Sequence, residues 1–365
     1  MSLKLGIIGL PNVGKSTLFN ALTSQEVEAA NYPFCTIDPN VGIVPLPDER
    51  LNKLGEIAGA EKVTPAYIQY VDVAGLVQGA SRGEGLGNQF LAHIREVDAL
   101  VQILRGFQDS NVAHVKGRWD PVEDLQIVNY ELIMADLETL QKRREKAAKM
   151  MKADREKYQE ELSFLEKLEE HLNQGGMARN FPQRDEYKGI MEELFLLTDK
   201  PVIYVLNIEE DIEEEKARAL KEKIRKALGE ERREVLLISV RLEKDLQELT
   251  PPERKEYLEE LSWRGDSLNT LISSSFRLLN LITFFTAKGE ETRAWTIPRG
   301  TRAVKAAGKI HTDMEQGFIR AEVIPFAKLE EAGSFPRARE LGWIRLEGRD
   351  YEVQEGDVIQ FRFNL

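Results

Sequence analysis

Residues Gly9 to Ser16 read Gly-Leu-Pro-Asn-Val-Gly-Lys-Ser, with the spacing G-x-x-x-x-G-K-[ST] complete. The apolar run Leu5-Gly-Ile-Ile8 precedes them and the helix-forming stretch Thr17-Leu-Phe-Asn-Ala-Leu22 follows. Strand, glycine loop and helix start together form the setting in which backbone N–H groups wrap a chain of phosphates. In that setting Asn12, Val13, Gly14, Lys15, Ser16 and Thr17 cradle the anion, helped by the partial positive charge of the first helical turn. Lys15 reaches the β and γ phosphates as a catalytic cation, and Ser16 is a ligand for Mg²⁺. The competing reading is an ordinary strand-helix turn with a surface lysine, and the complete spacing argues against it.

Further along, Asp72-Val-Ala-Gly75 follows the strand-like run that ends at Val71. A D-x-x-G element there lets the aspartate support a metal-bound water while the Gly75 N–H senses the γ phosphate. Thr36 lies between the two elements, where a hydroxyl can complete the Mg²⁺ shell. A threonine in a loop can also simply cap a turn, and the neighbouring Cys35 is read as packing.

Asn207-Ile-Glu-Glu210 closes another strand-like run, at the place where a guanine-reading site carries N-K-x-D. Glu210 replaces the aspartate and Ile208 the lysine. One extra methylene displaces the carboxylate enough to spoil a bidentate pairing with guanine, and an unpaired buried donor costs about 1–3 kcal/mol. Adenine presents N7 as acceptor and N6 as donor, a pattern that the Asn207 carboxamide can satisfy. An acidic helix start is the plain alternative, because Glu209 to Glu215 is acidic almost throughout. Ser239 stands where a last base-contacting loop is expected.

Leu76 follows Gly75, and leucine cannot orient or deprotonate water. Hydrolysis is then slow, uses the substrate itself, or recruits a polar group from elsewhere. Of the four histidines, His114 lies in the polar loop Gln108 to Trp119 and is the candidate.

The elements that must position these residues are short buried runs: Tyr67–Val71, Ala99–Leu104, Val202–Leu206 and Val235–Ser239. Their continuous apolar character and helix-compatible spacers predict a doubly wound parallel α/β sheet. From about Asp120 to Asp199 strand signals stop. Leu125, Val128, Leu132, Met134, Leu137 and Leu140 recur at helical spacing, as do Leu162, Leu165, Leu168 and Leu172. That predicts an inserted antiparallel helical hairpin, interrupted near Gln174-Gly-Gly176 and followed by a shorter helix from Lys188 to Leu197. Lys142 to Lys157 holds eight basic and three acidic residues, either a solvated helix face or a docking surface for a polyanion. From about Leu278 onward, strand-like pieces at 282–286, 292–296, 317–323 and 357–363 surround a helix at 301–311, as in a mixed β-grasp-like module. The expected division is therefore 1–119 and 200–277 for the α/β domain, 120–199 for the insertion and 278–365 for the last domain. Thr250-Pro-Pro-Glu253 has the order of a helix start with a capping box.

Composition restricts the rest. The 365 residues are 42% apolar with a net charge of −12, and no apolar stretch approaches the roughly 20 residues of a membrane span. Binding to nucleic acid would need a local basic surface. A single cysteine excludes an internal disulfide and a thiolate metal cluster. Met-Ser-Leu-Lys leads directly into the first strand, so no leader is expected and the cytoplasm is the expected location.

Taken together, Gly9–Ser16, Asn31-Tyr-Pro-Phe-Cys-Thr36, Asp72-Val-Ala-Gly-Leu-Val-Gln-Gly-Ala-Ser81, His114-Val-Lys-Gly-Arg-Trp-Asp-Pro121 and Asn207-x-x-Glu210 resemble the Obg-like ATPase family, also called YchF. The resemblance runs over essentially the whole length. It implies a G domain with a coiled-coil-like helical insertion and a C-terminal TGS domain. It further implies hydrolysis of ATP in preference to GTP with Mg²⁺, association with the ribosome, and a role in translation and stress regulation. The histidine matching His114 is implied as the catalytic group, and Asn12 as a ligand for K⁺ by similarity to potassium-activated relatives. Two other classes stay open: a GTP-dependent switch, and a ribosome-binding module that nucleotide merely stabilises.

Overall fold

The computed structural model describes residues 3–24, 40–73, 86–108, 119–151, 155–229, 233–261, 263 and 265–364. Thr36, Gly75, Leu76 and His114, together with Cys35, lie outside these residues. The first elements are β1 (Lys4–Ile8), α1 (Lys15–Thr23), β2 (Val41–Pro45), α2 (Glu49–Ala58), β3 (Lys62–Thr64), β4 (Tyr67–Asp72), α3 (Leu86–Arg95) and β5 (Ala99–Arg105). Three helices follow: α4 (Pro121–Met150), α5 (Arg155–Asn173) and α6 (Lys188–Leu194). The chain continues with β6 (Val202–Asn207), α7 (Glu214–Ala227), β7 (Val235–Ile238), α8 (Val240–Leu246), α9 (Pro251–Glu260) and α10 (Leu268–Leu278). The last stretch holds β8 (Leu281–Lys288), β9 (Glu291–Pro298), α11 (Ala303–Ile310), α12 (Thr312–Gln316), β10 (Phe318–Pro325), α13 (Phe326–Ala332), α14 (Phe335–Glu340), β11 (Arg345–Glu347) and β12 (Asp357–Phe363).

One six-stranded sheet has the order β2-β4-β1-β5-β6-β7. β1 pairs in parallel with β4 and β5, β5 with β6, and β6 with β7. Every residue of β5, β6 and β7 is buried, which explains why these strands read as unbroken apolar runs: both faces are covered. The chain reverses its direction of sheet growth at β1, and the crevice beyond the carboxyl end of such a strand is where α/β folds bind ligands.

Asp120 caps α4 by accepting from the Val122 N–H at 2.9 Å, with Pro121 in the first turn and Glu123 and Asp124 facing the positive end of the helix dipole. Ile133 and Leu140 of α4 share a core with Phe164, Leu165, Leu168 and Leu172 of α5 and with Met191 and Leu194 of α6. Met134 departs from the expected apolar stripe and is 37% exposed. Two residues beyond Leu132 it points about 200° further round the helix. The shorter helix ends at Leu194 rather than Leu197, because Phe195 adopts φ +49°.

The chain divides into two compact units, one holding residues up to 24, 40–42 and 69–268, the other 43–68 and 269–364. In the second, the sheet order is β11-β10-β12-β8-β9-β3. Ala303, Ala306 and Ala307 of α11 press the small-residue face of that helix onto Phe284, Phe318 and Phe361. On another core, Leu51 and Leu54 of α2 pack with Phe285, Ala294, Leu329 and Val358. This unit thus starts nearer 269 than 278, and it takes in α2 and β3. Periodicity could not show that, because the partners are more than 200 residues apart in sequence.

Candidate nucleotide site

The loop after β1 needs glycine at two positions. Gly9 has φ +152°, and a Cβ there would sit 2.6 Å from the Ile103 carbonyl oxygen. Gly14 has φ +102°, and its Cβ would lie 2.5 Å from Asn207 Nδ2. Between them Asn12 adopts φ +63°, a left-handed conformation that asparagine tolerates better than most side chains. α1 begins at Lys15, so the N–H groups of Lys15, Ser16 and Thr17 belong to its first turn and have no partner within the helix. Lys15 is 8% exposed and donates from Nζ to the Leu10 carbonyl at 2.8 Å. Burial lowers its pKa, while the charge of Asp72 at the end of β4 pulls it back up.

At the end of β6, Asn207 Nδ2 donates to the Val13 carbonyl at 3.0 Å and Oδ1 accepts from the Val240 N–H at 3.1 Å. Its backbone carbonyl accepts from Gly106 at 2.7 Å, and Ile208 N–H donates to Ile238 at 3.0 Å. Ser239 caps α8 by accepting from Leu242 N–H at 3.3 Å. One carboxamide therefore fastens the phosphate loop to the β7–α8 junction. Each end of this carboxamide serves one protein partner that sequence spacing cannot reveal, which leaves its second N–H and second lone pair for a base.

A cavity of about 780 Å³ opens over these elements. It brings together Asn12, Gly14, Lys15, Ser16, Thr17, Asn207, Ile208, Glu210 and Ser239 from the sequence reading. Val13 contributes its carbonyl from behind, with its side chain buried. Sequence reasoning missed Phe107, Gln108, Glu209, Asp211 and Arg241, which with Val240 complete the lining. The signal available for Phe107 and Gln108 was their position just past the carboxyl end of β5. Glu209 Oε1 accepts from the Gln108 N–H at 2.9 Å and joins those two loops.

Within that wall, Glu210 Oε2 is buried without a hydrogen-bond partner. A buried acceptor left alone is costly, and a turn of the Glu210 side chain toward the cavity would let a donor on a bound ligand satisfy it. The residues also fit Mg²⁺. Among the described residues no group of three or more His, Cys, Asp or Glu is arranged to hold a metal by itself. Ser16 in the first turn of α1 and Asp72, whose charge acts on Lys15, are the oxygen donors on hand for an ion taken up mainly by phosphate and water. Among the described residues no helix is long and apolar enough to cross a membrane.

A sheet whose strands β4, β1, β5, β6 and β7 run in parallel, with a glycine-rich loop at its switch point, a buried lysine at the helix start and a braced Asn-x-x-Glu opposite, defines a P-loop nucleotide-binding G domain. Residues 4–135 match the family described as a 50S ribosome-binding GTPase, and residues 281–364 match a C-terminal YchF GTPase domain described as a protein of unknown function. The chain is 46% identical over 366 positions to the ribosome-binding ATPase YchF of Bacillus subtilis (strain 168), covering 100% of each. It is 45% identical over 365 positions to that of Escherichia coli O157:H7, again covering 100% of each. The structure of the YchF GTPase of Schizosaccharomyces pombe matches with a TM-score of 0.85 and 37% identity over 99% of this chain and 98% of that one. The chain belongs to the YchF family.

Proposed function

We propose that this protein is a Mg²⁺-dependent nucleoside triphosphatase that hydrolyses ATP in preference to GTP and works on the ribosome from the cytoplasm. The observation that carries the base preference is the unpartnered Glu210 Oε2 in the cavity wall. Guanine presents two adjacent donors and needs a bidentate carboxylate. The adenine N6 amino group needs one acceptor, which a single glutamate oxygen supplies. Asn207 positions the phosphate loop for this pocket, and Ile208 lines it as an apolar wall.

In this reading the N–H groups of Gly14 to Thr17 hold the phosphates, and Lys15 leaves Leu10 to meet the β and γ oxygens. Ser16, Thr36 and Asp72 hold Mg²⁺, which when bound neutralises charge on the phosphate oxygens. Gly75 and His114 serve the hydrolytic step, and Asn12 is the candidate ligand for K⁺. The helices of residues 120–199 act as the inserted hairpin and the C-terminal part of the second unit, from about 269 onward, as a TGS-type domain, both contacting the ribosome or its large subunit. The bacterial relatives are named ribosome-binding ATPases, in agreement with this reading.

The runner-up is a GTP-dependent switch, favoured by the name of the Schizosaccharomyces pombe relative. Titration calorimetry of nucleotide-free protein with non-hydrolysable ATP and GTP analogues, in buffer with Mg²⁺ and K⁺, separates the two. The expected result is an ATP preference of about tenfold or more, about 1.4 kcal/mol. A GTP preference would overturn the reading of Glu210.

A further inference from the structure

The second unit carries a cleft that the nucleotide site does not use. β12 pairs with β10 along seven positions, from Asp357 to Phe363, and β8 pairs with β9 along eight. Between β12 and β8 the ladder has a single pair, Val358 with Phe285. Past that pair lies a cleft of about 950 Å³, lined by the final residues of β8, by β12 and by the start of β10. Its size is at the upper end for a small-ligand pocket, about 300–1,000 Å³.

The lining has two chemistries. Ile310, Met314, Phe361 and Phe363 supply apolar surface, and Ile319 at its border is 58% exposed. Lys288, Arg293, Arg320 and Arg362 supply positive charge. Glu322 lies among these cations but is heavily compensated: Arg362 Nε donates to it at 2.9 Å, Arg339 approaches to 3.6 Å and Arg320 to 3.9 Å. Lys288, Arg293, Arg320 and Arg362 against the two carboxylates Glu291 and Glu322 give the lining a formal charge of +2 in a chain whose net charge is −12.

We infer that this cleft binds an extended peptide segment of a partner protein in which acidic and apolar side chains alternate. Successive side chains of a strand point to opposite sides, so such a segment can send carboxylates to the cations and apolar groups to the floor while its main chain lies along a strand. Nucleic acid fits less well. Bases would need an open aromatic face, and that of Trp295 is occupied: the Arg293 guanidinium stands 4.3 Å from its centroid, and Phe284 is stacked on it at 6.5 Å. Trp295 Nε1 is likewise committed, to Thr286 Oγ1 at 2.9 Å. Phosphates also gain nothing from the isoleucine and phenylalanine floor. This inference is independent of the base preference and of hydrolysis.

The test is fluorescence anisotropy on the full chain with a labelled peptide of alternating glutamate and valine. A glutamine-valine peptide and a single-stranded oligouridylate of equal length are the comparisons. The acidic peptide is expected to bind best, to weaken with added salt, and to lose about tenfold in affinity with Lys288→Glu. Arg320→Glu should act in the same direction. Because it also touches Glu322, the exposed Ile319→Asp provides an independent variant, with the same loss expected. Absence of binding, equal binding of the glutamine peptide, or insensitivity to Lys288→Glu and Ile319→Asp would overturn the inference. Tighter binding of the oligouridylate, lost in the same variants, would assign the cleft to nucleic acid instead.

Discussion

Asn207 and Val13 are joined across the parallel sheet's carboxyl edge by a buried 3.0 Å hydrogen bond, from the carboxamide nitrogen to the loop carbonyl. The same side chain accepts from Val240 at 3.1 Å, so the phosphate loop and the α8 start share one brace. Asn207→Ala removes both bonds and leaves a buried N–H and a buried carbonyl to find other partners. The expected cost is about 1–3 kcal/mol, read as a lower Tm and an ATP affinity down by about tenfold or more. Gly14→Ala attacks the contact from the other side, through both a Cβ at 2.5 Å from Nδ2 and a φ of +102°. It should abolish nucleotide binding in the same calorimetric titration.

Lys15 makes a different kind of prediction. Its ammonium is buried against one carbonyl, and desolvation lowers its pKa, so in the absence of nucleotide the charge is a burden on the fold. Lys15→Met keeps the volume and removes the charge. The Tm of the nucleotide-free protein should stay level or rise, while the increase in Tm that ATP and Mg²⁺ give the wild type should vanish. A large drop in Tm without nucleotide would show that the Leu10 contact matters more to the fold than the buried charge costs it.

Much of this site was legible in the sequence because its loops are set by local rules. Gly9, Gly14, Lys15 and Ser16 have a spacing that only a strand-loop-helix turn serves, and Thr250 and Glu253 do form the expected start of α9, with Thr250 N–H donating to Glu253 at 2.7 Å. The partners of Asn207 were not legible, since Val13 and Val240 lie 194 and 33 residues away. Arg143 shows the same limit. Within the basic run it reads as a docking cation, yet its guanidinium bonds Glu161 at 2.5 Å and Glu193 at 2.9 Å, tying α4 to α5 and α6.

Asp136 is the corresponding brace for the helical segment. Fully buried, it accepts from the N–H groups of Leu197 and Thr198, each at 2.8 Å, and from Thr198 Oγ1 at 2.7 Å. Asp136→Asn would turn an amide against these donors. Thermal unfolding should show a loss of about 1–3 kcal/mol, with ATP affinity unchanged because none of these groups lines the nucleotide cavity.

Glu243 gives a pH dependence. Burial on α8 pushes its pKa up to about 7 from 4.5, opposed by a hydrogen bond from the Leu268 N–H and by the charge of Arg254. The folded protein therefore keeps this proton to higher pH than the unfolded chain does. The contribution to stability is complete below 4.5 and is lost as pH rises through about 7. Glu243→Gln should flatten the fall in Tm across that interval and be more stable than the wild type at its alkaline end. An unchanged slope would place the titration elsewhere.

The proposed ribosome contact through α4 is tested most cleanly by leaving the ion pairs of that helix intact. Lys142 bonds Glu138 at 2.6 Å and Arg144 approaches Glu166 at 3.5 Å, so reversing them, or Arg143, would disturb the helices as well as their surface. Lys146 and Lys149 are exposed on the same helix. Lys146→Glu with Lys149→Glu should leave Tm and basal ATP turnover nearly unchanged, since surface charges of this kind contribute at most about 1 kcal/mol. Co-sedimentation with ribosomes should drop, and the drop should shrink as salt screens the contact. Undiminished co-sedimentation at low salt would make the basic run a solvated face and move the contact to another surface.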